Sequence, residues 1–140
     1  SVVVAGGCFW GVEELIRKVP GILETEVGYT GGQTENPTYE TVKKGNTGHA
    51  EAVRITFDSQ RISLQKVLEL FFQLHDPTTL NRQGNDVGTQ YRSAIFFATE
   101  EQRKIADRVK QREDQSGRWP RPVATTLEPL KAFYLSLIHI

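Results

Sequence analysis

Cysteine is the residue type that constrains a chemical reading most, and this 140-residue chain has one, Cys8, in the run Gly6-Gly7-Cys8-Phe9-Trp10-Gly11. Two glycines before a residue that opens a helical pattern bring several unpaired backbone N–H groups, and the positive end of the helix dipole, close to the sulfur. Such a setting stabilises a thiolate and lowers the thiol pKa from its usual value of about 8.5. The thiolate is the reactive form, so the chemistry is nucleophilic or redox. The competing reading is a buried structural cysteine, the common fate of a free Cys; the glycine turn and the aromatic pair favour the reactive one. Phe9 and Trp10 could wall a small apolar pocket beside the sulfur, or simply pack in the core.

Other residues could supply protons. Gly48-His49-Ala50-Glu51 leads into a strand, and a partly buried Glu51 would hold a raised pKa and act as an acid. The alternative is an exposed carboxylate at a strand end. Tyr39, Tyr91 and Asp86 fall in irregular stretches, where a phenol or carboxylate can be aimed at a substrate oxygen. For the tyrosines the alternative is partial burial with a satisfied hydroxyl.

Lys plus Arg and Asp plus Glu both number 17, so no net charge draws in nucleic acid or an anionic membrane. One cysteine permits no internal disulfide, which favours a reducing, cytoplasmic setting or a thiol kept for its reactivity. Three scattered histidines and one cysteine match no metal-ligand spacing, so no metal is expected. No apolar run approaches the roughly 20 residues of a bilayer span, and no signal peptide opens the chain. Ser1 falls inside what reads as a strand, which leaves room for an upstream segment.

The elements that position these residues follow from periodicity. Val2 to Ala5 is a short strand; Val12, Leu15, Ile16 and Val19 then recur at helical spacing until Pro20-Gly21. Glu26 to Tyr29 reads as a second strand, and Val53, Ile55 and Phe57 alternate as a half-buried third. Leu64, Val67, Leu68, Phe71, Phe72 and Leu74 predict an apolar helix capped by Ser63 and stopped before Pro77. Ala94 to Ala98 is a fourth strand. Thr99 and Gln102 form a capping box for a charged helix to about Ser116 that turns Ile105, Ala106 and Val109 inward. A last strand is expected near Val123 to Leu127. The order predicts an α/β fold, a two-layer α+β sandwich with a ferredoxin-like split βαβ core plus an added helix and strand, as one domain over residues 1–140. Residues 31–48, with a short helix near Tyr39 to Lys43, and 76–90 carry no evident regular structure. Loops that long in a small domain are usually functional or disordered.

Taken in order, Gly-Gly-Cys-Phe-Trp-Gly at 6–11, Val-Gly-Tyr-Thr-Gly-Gly at 27–32, Pro-Thr-Tyr-Glu at 37–40, Gly-His-Ala-Glu at 48–51 and the segment from His75 to Ser93 resemble class A peptide methionine sulfoxide reductases. The resemblance runs from residue 2 to about Tyr134. It implies reduction of the S epimer of methionine sulfoxide, free or in oxidised proteins, through a sulfenic acid intermediate. It implies Cys8 as nucleophile, Phe9 and Trp10 as the cradle of the substrate methyl, and Glu51 as the acid that protonates the sulfoxide oxygen. Tyr39 and Tyr91 match hydrogen-bond donors to that oxygen, and Asp86 matches a support on the polar side. No bound cofactor is implied, only an external thiol reductant such as thioredoxin, glutaredoxin or dithiothreitol, acting on a monomer. After Phe133-Tyr134 the chain departs from the family's Ala-Glu and His-Gln pattern and carries no second cysteine. Either an external thiol reduces Cys8 directly, or the natural tail is absent or altered. A thiol peroxidase and a non-catalytic binding module are the other classes considered; a phosphatase loop is excluded because Glu14 stands where its arginine would be.

Overall fold

The computed structural model describes residues 1–7, 9–32, 42 and 47–135. Cys8, Tyr39, all but Val42 of the short helix expected near Tyr39 to Lys43, and the last five residues lie outside them.

The chain runs β1 (Val2–Gly6), α1 (Phe9–Ile16), β2 (Ile22–Thr30), β3 (Ala50–Phe57), α2 (Leu64–Gln73), β4 (Arg82–Gln83), β5 (Asp86–Val87), a 3₁₀ turn (Thr89–Tyr91), β6 (Ser93–Phe97), α3 (Glu100–Gln115), β7 (Thr126–Pro129) and β8 (Tyr134–Leu135). Six strands form one sheet in the order β7-β6-β1-β3-β2-β8. Within it β6, β1, β3 and β2 are antiparallel neighbours, so β1 and β2 run parallel with β3 between them. This is the expected split βαβ core. The added helix α3 returns the chain to β7, parallel to β6.

Side chains alternate across a strand, and the two faces of this sheet divide accordingly. Val2, Val4, Val27, Tyr29, Val53, Ile55 and Ile95 share a core with Phe9, Val12 and Ile16 of α1, Val67, Leu68, Phe71 and Phe72 of α2, and Ala106 and Val109 of α3. These three helices therefore cover one face. The other face, Val3, Ala5, Ala50, Ala52, Ala94 and Phe96, is covered by Leu130 and Phe133. Burial of each large side chain of α2 contributes about 1.5–3 kcal/mol relative to exposure.

Several boundaries differ from expectation. Helix α1 ends at Ile16, three residues early, and Leu15, read as inward, is half exposed. Strand β3 is buried on both faces over its first four residues, because small alanines let the C-terminal strap close on its outer side. The last expected strand begins at Thr126 rather than Val123, and β8 was not foreseen. Thr99 caps α3 by accepting from the N–H of Gln102, but the Gln102 side chain accepts from Ala98, one residue before the capping-box position. Ile105 is only partly buried, while the last turns of α3 bury Glu113, whose carboxylate pairs with Arg118 and accepts from the Trp119 indole. In the stretch read as irregular, β4 and β5 form a two-residue-per-strand hairpin, with Gly84 at φ +58° in its turn.

Candidate active site

Glu51 is the second residue of β3 and shares strand parity with Val53 and Ile55, which puts its side chain on the helix-covered face. Its register partner on β2 is Tyr29, so the two emerge side by side on that face. The start of α1 closes the space above them. The N–H of Phe9 is one of the orphan donors of the first helical turn, and it donates to Glu51 Oε1 at 3.3 Å. The chain thus brings the carboxyl to the amide of the residue that follows Cys8.

Glu51 is 3% exposed. Burial, the largest influence, penalises the charged form and raises the carboxyl to about 7; the Phe9 hydrogen bond opposes this and the negative charge of Asp86 adds to it. At neutral pH the group is poised between acid and carboxylate, the condition that suits a general acid. Of the two readings the sequence left open for Glu51, an exposed strand-end carboxylate and a buried one, the structure shows the buried one.

Asp86 and Tyr91 arrive on adjoining elements. Asp86 is exposed on β5, close enough for its charge to act on Glu51. Tyr91, half-buried, ends the 3₁₀ turn, which packs against β3. Arg92 anchors that turn: its guanidinium pairs with both carboxylate oxygens of Glu128 on β7 and donates to the carbonyls of Gly48 and Thr89. The start of β3, the turn and the edge strand are therefore held by one side chain.

Phe9 and Trp10 take different roles. The Phe9 ring is buried in the main core, 5.5 Å from the rings of both Tyr29 and Trp10. Trp10 is 38% exposed. Of the two, Trp10 is the one that presents aromatic surface to solvent, with Phe9 behind it, because successive residues at a helix start point about 100° apart.

Three nearby residues were not singled out as site residues from sequence. Tyr29 could have been found, since strand parity pairs it with Glu51. His75 and Gln83 gave no periodic signal. The His75 ring lies under Gly6, where a β-carbon would come within 3.0 Å of it. Burial holds the imidazole neutral, with a pKa of about 4. In that form Nδ1–H donates to the Phe71 carbonyl and Nε2 accepts from Ser93, whose hydroxyl meets that of Thr125. His49 is buried beside the start of β3; its Nδ1 accepts from the Gly32 N–H and its ring packs edge-on against Tyr134.

The geometry can be set beside known proteins. The family model described as peptide methionine sulfoxide reductase matches residues 1–136. The peptide methionine sulfoxide reductase MsrA of Nocardia farcinica is 51% identical over 132 residues, covering 94% of this chain and 75% of that protein. Among solved structures, Mxr1 from Saccharomyces cerevisiae in reduced form superposes with a TM-score of 0.90 at 35% identity, over 96% of this chain and 78% of that one. Mxr1 in complex with Trx2 gives a TM-score of 0.71 at 27% identity, over 95% and 77%. With a matching family model over nearly its whole length, half-identical relatives and the same fold, the chain belongs to the peptide methionine sulfoxide reductase family.

Proposed function

We propose that residues 1–140 form one catalytic domain that reduces the S epimer of methionine sulfoxide, free or in proteins, with Cys8 as nucleophile and Glu51 as acid. The observation that carries this reading is the buried Glu51 carboxyl held against the amide of Phe9, the residue bonded to the chain's one cysteine.

A sulfoxide oxygen leaves sulfur poorly as an oxide and much better once protonated, so a thiolate needs an acid opposite it. Phe9 N–H occupies one oxygen of Glu51 and leaves the other to carry the proton. The Cys8 thiolate attacks the substrate sulfur and forms an S–S bond as Glu51 protonates the sulfoxide oxygen; the hydroxyl then passes to the Cys8 sulfur while the S–O bond and the new S–S bond break. The substrate sulfur gains two electrons and leaves as methionine; the Cys8 sulfur loses two and becomes a sulfenic acid. Tyr39 and Tyr91 donate to the same oxygen, and Asp86 keeps the polar side negative so that Glu51 retains its proton until attack. Trp10, backed by Phe9, takes the methyl group. Two external thiols then reduce the sulfenic acid, releasing water and a disulfide. A thioredoxin-like protein suits this step, a reading supported by the Mxr1–Trx2 complex.

An apolar wall for the methyl and a polar cluster for the oxygen leave one epimer able to present its sulfur. Incubated with separated epimers and dithiothreitol, the protein is expected to consume only the S form. Equal consumption of both, or of neither, would defeat the proposal.

A further inference from the structure

The side chain of Gln83 joins three parts of the frame around the candidate site. Its Oε1 accepts from the backbone N–H of Asp76 and its Nε2 donates to the carbonyl of the same residue, both at 2.8 Å. A side-chain amide thereby satisfies both backbone groups of one residue. Its stem rests on Gly7, whose φ of +97° presents a bare α-carbon: a β-carbon there would lie 2.7–2.8 Å from Gln83 Cγ and Cβ. Across the hairpin, Gln83 is the register partner of Asp86.

The residue it grips is fixed in turn. Asp76 Oδ1 accepts from both the N–H and the hydroxyl of Thr78. His75, next to it, is tied to Phe71 and Ser93 beneath Gly6. Gln83 is thus the link between a buried floor, the glycine turn before Cys8, and the exposed hairpin that carries Asp86.

We propose that Gln83 is a positioning residue that locks the β4–β5 hairpin to Asp76 and Gly7 and so sets the distance from Asp86 to Glu51. The inference rests on the reading of Glu51 as the acid. A two-strand hairpin of two residues each has little stability of its own, so its place depends on such anchors. Among the described residues, the groups placed beside Glu51 are the Phe9 N–H of α1, Tyr29 of β2 and Asp86 of β5, with Tyr91 on the 3₁₀ turn that packs against β3. Strand β1 brings no ionisable side chain, and Cys8 adjoins Phe9 in the chain. Asp86 is the negative member that the hairpin can move.

The test reads the pH dependence of methionine release in a single turnover on the S epimer, using the full chain. Activity requires protonated Glu51, so the rate falls as pH rises through its pKa. Moving Asp86 away lowers that pKa and brings the falling limb to lower pH. Gln83→Met keeps Cβ and Cγ over Gly7 but removes both hydrogen bonds, and should shift the limb downward by about half a pH unit, in the same direction as Asp86→Asn. The Gln83→Met/Asp86→Asn pair should shift it no further than Asp86→Asn alone. Gln83→Asn, one methylene too short to meet both groups of Asp76, serves as the second variant should the first not fold by circular dichroism. A limb that moves in Asp86→Asn but stays in the Gln83 variants overturns the inference. A limb that stays in Asp86→Asn overturns the underlying reading of Glu51 and Asp86, and the inference with it.

Discussion

At the scale of single residues, neighbours in sequence carry different loads. Phe9 and Trp10 are adjacent and similar in chemistry, yet one is in the core and the other at the surface. Their substitution should separate accordingly. Phe9→Ala empties a core position packed on Tyr29 and should cost about 3–5 kcal/mol in urea unfolding. Trp10→Ala should leave the urea midpoint nearly unchanged and raise KM about 10-fold, the result expected when a contact made equally in ground and transition states is lost. Equal stability losses in the two variants would contradict the division. Sequence could propose both as an aromatic pair but could not tell them apart, because which face of a helix start is buried is decided by the packing of α1 on the sheet.

At the scale of elements, periodic segments were legible and short polar ones were not. The alternation in β3 and the helical spacing in α2 each bury an extended stripe, so tertiary packing and local pattern agree there. The β4–β5 hairpin has strands too short for any period to show, and β8 is an edge pair of two residues. Both are fixed by contacts outside any periodic pattern: Gln83 on Asp76 within the same loop, and Thr30 donating to the carbonyl of the distant Ala132. The place of Glu51 at a strand start was legible, though its burial was not; His75 and Gln83 were not legible, because their partners Phe71, Ser93 and Asp76 lie in a helix, another strand and a loop. The glycine turn between β1 and α1 was legible, and it has a measurable consequence. Gly7→Ala forces an L residue to φ +97° and sets a β-carbon against the Gln83 stem. It should cost about 1–3 kcal/mol, seen as a lower urea midpoint; an unchanged midpoint would show that the turn relaxes freely.

At the scale of the whole molecule, two buried ionisable groups pull stability in opposite directions with pH. Glu51 has a folded pKa of about 7 against an ordinary value of 4.5, so the folded state holds the proton longer and stability falls as pH rises from 4.5 to about 7. His75 has a folded pKa of about 4 against 6.5, so its contribution is full above 6.5 and is lost as pH falls towards 4. Each effect is about 3 kcal/mol, and between pH 4.5 and 6.5 they largely cancel. Glu51→Gln removes one of them. Urea unfolding of that variant should show stability rising with pH across this window, and a gain of about 2 kcal/mol or more over the unsubstituted protein at pH 8; parallel profiles for the two proteins would contradict the opposition. The buried carboxyl is thus a cost to the fold that its proposed role as the acid would explain. The measurement that tests the account most directly is the single-turnover rate of methionine formation from the S epimer against pH, in the unsubstituted protein and in Glu51→Gln. The account expects a rate that falls through pH 7 in the first, and in the second a rate lower by about 100-fold with no such fall, while Cys8 stays open to alkylation. An unchanged rate and the same falling limb in Glu51→Gln would contradict it.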